Sequence, residues 1–132
     1  MLVRTLEQYF AENAGKIWEA LYKYGALSEK KLVKITKLKH QDISSGIGWL
    51  ARENKICKDC QGYYRLGETN LTSKIGNDAG RLWKIMDIWG EVNFPTMKRL
   101  ADIDEVEIYA ALGWLARENK VNISENQMFN LI

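Results

Sequence analysis

The sequence predicts a mainly α protein with small β-hairpins, an α+β architecture made of two copies of one compact unit. Three observations predict it. The octapeptide Gly-Trp-Leu-Ala-Arg-Glu-Asn-Lys runs from Gly48 to Lys55 and again from Gly113 to Lys120, 65 residues further on. The same offset lays Ala14, Gly15 and Trp18 on Ala79, Gly80 and Trp83, Gly25 on Gly90, Ile43 on Ile108 and Leu66 on Leu131, with no gap. Within each copy the apolar spacing is helical for most of the length and turns to strand-like alternation at the end. A fixed internal period marks a repeated structural unit, so the chain divides at residues 1–67 and 68–132. A unit of this size buries only about 60% of its unfolded surface. The copies are therefore expected to pack on each other or on a partner.

In the first copy, Ile17, Trp18 and Leu21 fall at helical spacing and Gly25 ends the segment, which predicts a first helix over 14–24, extending back through Leu6 and Phe10. Ser28 then caps a second helix while Leu27 packs on Leu32 as a hydrophobic staple, and this helix stops near Thr36. The second copy repeats the arrangement with Val92, Asn93 and Met97, and Pro95 falls in the first turn, where its missing N–H is harmless. A short turn through Leu38 leads to a third helix whose core face is Ile43, Ile47 and Leu50, matched by Ile108, Leu112 and Leu115. Asp104 followed by Glu107 marks its start in the second copy as a capping box. From Ile56 to Leu66 the pattern becomes two short strands about a glycine-containing turn. Three helices, the second and third joined by a short turn, followed by a hairpin, make a winged helix-turn-helix, here in tandem.

The chain resembles a small prokaryotic winged helix-turn-helix family of unknown function, marked by an Ala-Gly-x-x-Trp start and a Gly-Trp-Leu-Ala-Arg-Glu-x-Lys-Ile end to the third helix. Ala14 to Trp18 with Gly48 to Ile56, and Ala79 to Trp83 with Gly113 to Val121, carry the resemblance. It implies a winged-helix fold and a DNA-binding role of the transcription-regulator kind, and no catalytic residue.

The net charge of +2 conceals a split. Residues 1–67 hold 12 Lys+Arg against 7 Asp+Glu, and residues 68–132 hold 7 against 10, so the copies stand at +5 and −3. A polyanionic partner for the first copy follows as an expectation. The sharpest difference lies at the start of the third helix. There Lys37, Lys39, His40 and Gln41 stand against Asp102, Asp104, Glu105 and Val106. Lys37 and Lys39 suit phosphates, and Gln41, Ser44 and Ser45 can bond base edges. Lys58 and Arg65 of the wing add two cations whose counterparts are Ile123 and Asn130. The candidate nucleic-acid residues are thus Lys37, Lys39, His40, Gln41, Ser44, Ser45, Lys58 and Arg65, with Asp42 and Glu53 weakening the basic face. The expected division has the third helix of the first copy exposed as the reader and that of the second buried as a packing or oligomerisation module.

Gly48, Trp49 and Arg52, with Gly113, Trp114 and Arg117, form a patch away from the core face. It admits three readings: packing within the fold or between the copies, contact with a partner protein, or DNA contact through Arg52 or Arg117. Val106, Tyr109 and Ala110 join the packing set because they are more apolar than their counterparts Gln41, Ser44 and Ser45. An interaction adaptor without DNA binding is the competing function, and intramolecular pairing of the copies or a homodimer is the expected assembly.

Cys57 and Cys60 form a Cys-x-x-Cys, but tetrahedral zinc needs two more ligands and His40 is the one histidine. Two reduced thiols are the main expectation, with an intermolecular metal site or a redox switch as alternatives. No phosphate loop, nucleophile elbow or paired-histidine metal helix is present, so no enzyme, metal or cofactor is expected. The lack of a long apolar stretch or signal pattern leads to a cytoplasmic expectation without membrane association.

Overall fold

The computed structural model describes residues 5–132; the first four residues of the first copy lie outside them. Helix α1 spans Leu6–Tyr24, α2 Glu29–Thr36 and α3 His40–Arg52, followed by strands β1 (Ile56–Lys58) and β2 (Tyr64–Leu66). The order then repeats as α4 (Thr72–Trp89), α5 (Phe94–Ala101), α6 (Glu105–Arg117), β3 (Val121–Ile123) and β4 (Phe129–Leu131).

Local chemistry accounts for the boundaries. Thr5 and Gln8 cap α1 reciprocally, the Gln8 amide donating to Thr5 Oγ1 (3.1 Å) and the Thr5 amide to Gln8 Oε1 (3.0 Å). Gly25 and Gly90 end α1 and α4 at φ 81° and 76°, a region costly for other residues. The Lys31 amide donates to Ser28 Oγ and the Thr96 amide to Asn93 Oδ1, so both second helices carry their expected side-chain caps. Asn54 and Asn119, inside the octapeptides, sit at φ 60° and 58°, where asparagine is among the better tolerated residues.

Each hairpin is antiparallel, with Ile56 opposite Leu66 and Val121 opposite Leu131. Leu27 adds a bridge to Tyr64, and Val92 one to Phe129, tying the entry of the second helix to the wing. Ile17, Leu32, Ile43 and Ile56 are fully buried in the first half, as are Leu82, Met97, Ile108 and Leu112 in the second.

The third helices lie against each other. A Cβ on Gly48 would stand 2.7 Å from the carbonyl carbon of Ala110, and one on Gly113 would stand 2.8 Å from that of Ser45. Both distances are far inside carbon van der Waals contact, so only glycine permits this approach of α3 to α6. Further along, Arg52 reaches Trp114 and Glu118 while Arg117 reaches Trp49 and Glu53, so the two helices run in the same sense.

This corrects the expected division between an exposed third helix and a buried one. Every residue from Asp42 to Ala51 is buried, whereas Val106 on α6 is exposed and Tyr109 and Ala110 are half-buried. The physical reason is reciprocity: a close backbone approach at Gly48 and Gly113 covers both helices at once.

Candidate nucleic-acid interface

The N-terminal end of α3 is held by α2 and the turn between them. The α2 C-cap is Lys37 in the left-handed region, φ 61°, which throws the chain sharply into the turn. Leu38 packs inward while Lys37, Lys39 and His40 remain exposed and Gln41 is half-buried. His40 Nδ1 lies 3.4 Å from Glu29 Oε1, joining the starts of α3 and α2. Lys37 and Lys39 have no carboxylate partner among the described residues.

Ser44 and Ser45 do not reach this surface, contrary to the expectation that they bond base edges. Both are buried. Ser44 Oγ donates to the His40 carbonyl and Ser45 Oγ to that of Asp42, each at 3.0 Å, and Asn13 Nδ2 approaches Ser45 Oγ at 3.4 Å. The approach of α6 covers this stretch of α3. Asp42 and Glu53 also depart from expectation, for neither acts as a free charge on the basic face. Asp42 is buried and accepts a 2.8 Å bond from the Tyr9 hydroxyl. Glu53 accepts from Arg117 Nε at 3.1 Å and pairs with Lys55.

On the wing, the Lys58 ammonium lies 5.2 Å from the Tyr64 ring centroid and Arg65 pairs with Asp59 at 3.2 Å. Backbone amides of Tyr63 and Gln61 together with Arg65 hold the Asp59 carboxyl below the usual range, Tyr63 contributing most. Burial, reinforced by Glu29, pushes the Tyr64 hydroxyl up to about 12. Lys58 is thus the less committed of the two wing cations. Its main-chain amide and carbonyl are tied to the Asn70 side chain at 3.0 and 2.6 Å, which steadies the wing against the start of α4.

The octapeptide residues form a matched set between α3 and α6. Arg52 Nε donates to Glu118 Oε2 and Arg117 Nε to Glu53 Oε2, both at 3.1 Å. Each guanidinium also lies 5.7 Å from a tryptophan centroid, Arg52 over Trp114 and Arg117 over Trp49. Each guanidinium thus spends its Nε on a carboxylate and one face on an indole, which fixes it between the two helices. Tyr109 stacks on Phe94 with centroids 4.9 Å apart, while Val106 borders a cavity on the other flank of the contact.

Sequence reasoning passed over Lys30, Lys31 and Lys34, which stand exposed on α2. Their counterparts Pro95, Thr96 and Arg99 carry a single charge, so the fixed offset held the signal. Cys57 is half-buried and Cys60 exposed, and no group of three or more metal-binding side chains occurs among the described residues. No helix among the described residues is long and apolar enough to cross a membrane.

Two three-helix units, each closed by a hairpin that pairs back to the entry of its second helix, define a tandem winged helix-turn-helix protein. The chain belongs to the family described as Winged helix-turn-helix domain (DUF2582), whose model matches residues 7–66 and again 70–131. No curated protein and no solved structure matches it.

Proposed function

We propose that this is a DNA-binding, regulator-like protein without enzymatic activity, in which the first unit contacts duplex DNA. Contact is made through Lys37, Lys39, His40 and Gln41 at the exposed start of α3, and through Lys58 and Arg65 on the wing. The second unit supports α3 from behind as an internal partner. The observation that carries this reading is the contrast at equivalent positions: exposed cations at Lys37 and Lys39 stand where the second unit has exposed carboxylates at Asp102 and Asp104. In helix-turn-helix proteins the start of the recognition helix is the part that enters the groove, and that part of α3 remains accessible.

With Ser44 and Ser45 buried, the surface offers more to phosphates than to base edges. Binding on this reading is dominated by counterion release and discriminates weakly between sequences. Anisotropy of a labelled mixed-sequence duplex, measured across salt concentrations, tests it. Three uncommitted cations, Lys37, Lys39 and Lys58, correspond to a slope of log K against log salt of about −2.7. Alanine at Lys37 and Lys39 should reduce that slope by about 1.8. A slope near zero, or unchanged binding in the double variant, refutes the reading.

An interaction adaptor is the second reading, favoured by the burial of Ser44 and Ser45 beneath the contact with α6. Salt-insensitive association with a protein and no retention of duplex DNA at low salt would establish it instead.

A further inference from the structure

The contact between α3 and α6 is nearly symmetric at its centre and unlike on its two flanks. On one flank aromatic side chains fill the space: Tyr109 stacks on Phe94, and Tyr9 donates to Asp42. On the other flank, the positions displaced by 65 residues are Ser44 for Tyr109, Glu29 for Phe94 and Lys74 for Tyr9. A cavity of about 180 Å³ lies there, bounded by α3 and the wing of the first unit and by α4 and α6 of the second. Its apolar walls are Ile47, Leu71, Ile75, Val106 and Ala110.

The cavity has two cations that its filled counterpart lacks. Lys58 lines it, and the equivalent position on the filled flank is Ile123. Lys74 also lines it, but is held by Glu107 and by Asp78 at 3.0 Å. Those carboxylates raise the affinity of Lys74 for its proton, Glu107 contributing most. Lys58 has no carboxylate partner among the described residues and rests over the Tyr64 ring at the cavity wall.

We propose that this cavity binds a small monocarboxylate with a one-ring or branched apolar body. The body takes the place that the Tyr109 ring occupies on the opposite flank, against Ile47, Val106 and Ala110, and the carboxylate meets the Lys58 ammonium. The size supports a small metabolite: drug-sized ligands occupy roughly 300–1,000 Å³. The lining holds three carboxylates and two ammonium groups; Asp78 and Glu107 share Lys74 and Glu29 lies beside His40, which leaves Lys58 as the cation placed to receive an anion. Bound there, the carboxylate bridges the wing and α3 of one unit to α4 and α6 of the other.

Titration of the ¹⁵N-labelled full chain with phenylacetate tests this, with 2-phenylethylamine as the oppositely charged control. Saturable shifts are expected at the amides of Ser44, Ile47 and Val106 and not at those of Tyr109 and Leu112, with a Kd of about 1 mM or tighter. Lys58→Ala should weaken phenylacetate about tenfold, and Ser44→Tyr, which installs the side chain found on the filled flank, should abolish the shifts. If Ser44→Tyr fails to fold, the exposed Lys58→Ala variant decides. Absence of saturable shifts, equal shifts on both flanks, equal binding of the amine, or an unchanged Kd in Lys58→Ala would overturn the proposal.

Discussion

Gly48→Ala puts a methyl group where the backbone of Ala110 already lies. The new Cβ would be 2.7 Å from the Ala110 carbonyl carbon and 3.0 Å from its Cα, with the carbonyl oxygen closer still. Carbon atoms favour separations of about 3.5–4.0 Å, so α3 and α6 must part by about 0.8 Å or more. No rotamer change can absorb this, because the obstructing atoms are main chain within a helix. Overpacking commonly costs about 1–3 kcal/mol, and a rigid obstacle on both sides places this site near the top of that range. Alanine recovers about 1 kcal/mol in helix propensity over glycine. The expected net loss is about 2 kcal/mol for Gly48→Ala, and the same for Gly113→Ala, whose Cβ meets Ser45 at 2.8 and 3.1 Å. The double variant should lose less than the sum, about 3 kcal/mol, because parting the helices for one methyl makes room for the other. Urea unfolding followed by tryptophan fluorescence reads this directly, since Trp49 and Trp114 flank the contact. A neutral or stabilising Gly48→Ala, or strict additivity in the double variant, refutes the reasoning.

Gly15 and Gly80 provide the opposite case. Both lie inside helices with nothing within 4 Å of a built Cβ, so Gly15→Ala and Gly80→Ala should each stabilise by up to about 1 kcal/mol in the same unfolding assay. Arg52→Ala loses an exposed ion pair with Glu118 and a contact with the Trp114 face, and the expected cost is about 1 kcal/mol after allowance for solvent screening. Combining Arg52→Glu with Glu118→Arg should recover most of the stability lost in either single reversal, as measured by urea midpoint. Lys74, and to a lesser extent the Asp104 amide, hold the Glu107 carboxyl below its usual range. A carboxyl depressed in the folded state contributes stability above its unfolded value, about 4.3 for glutamate, and loses it as pH falls through the folded value. Thermal scans from pH 7 down to about pH 3 should therefore show a shallower acid-side decline for Glu107→Gln than for the parent chain.

The helical and strand elements were legible because their signals are local. Ser28, Asn93, Gly25 and Gly90 cap or end helices through bonds to neighbours within a few residues, and the repeated register made each boundary readable twice. The extension of α1 back to Leu6 followed from apolar phase, although the Thr5–Gln8 capping box at its start went unread. The candidate interface was legible only in part. Exposure of Lys37 and Lys39 follows from their place in a turn, but Ser44 and Ser45 look like groove-facing polar residues in any isolated helix-turn-helix. Only the packing of α6 across that face buries them, and a helical wheel contains no information about a partner helix.

The octapeptide shows where the two levels divide. By itself the sequence determined the duplication, the fold of each unit and the charge contrast between them, because composition and short-range periodicity suffice for all three. The tertiary structure alone decided what Gly48, Arg52, Glu53 and their counterparts do, because their partners lie some 62–68 residues away along the chain. It also decided that one flank of the contact is filled by Tyr109 while the other retains a cavity beside Ser44. Side-chain volume is written in the sequence, but which volumes face each other depends on how two helices cross.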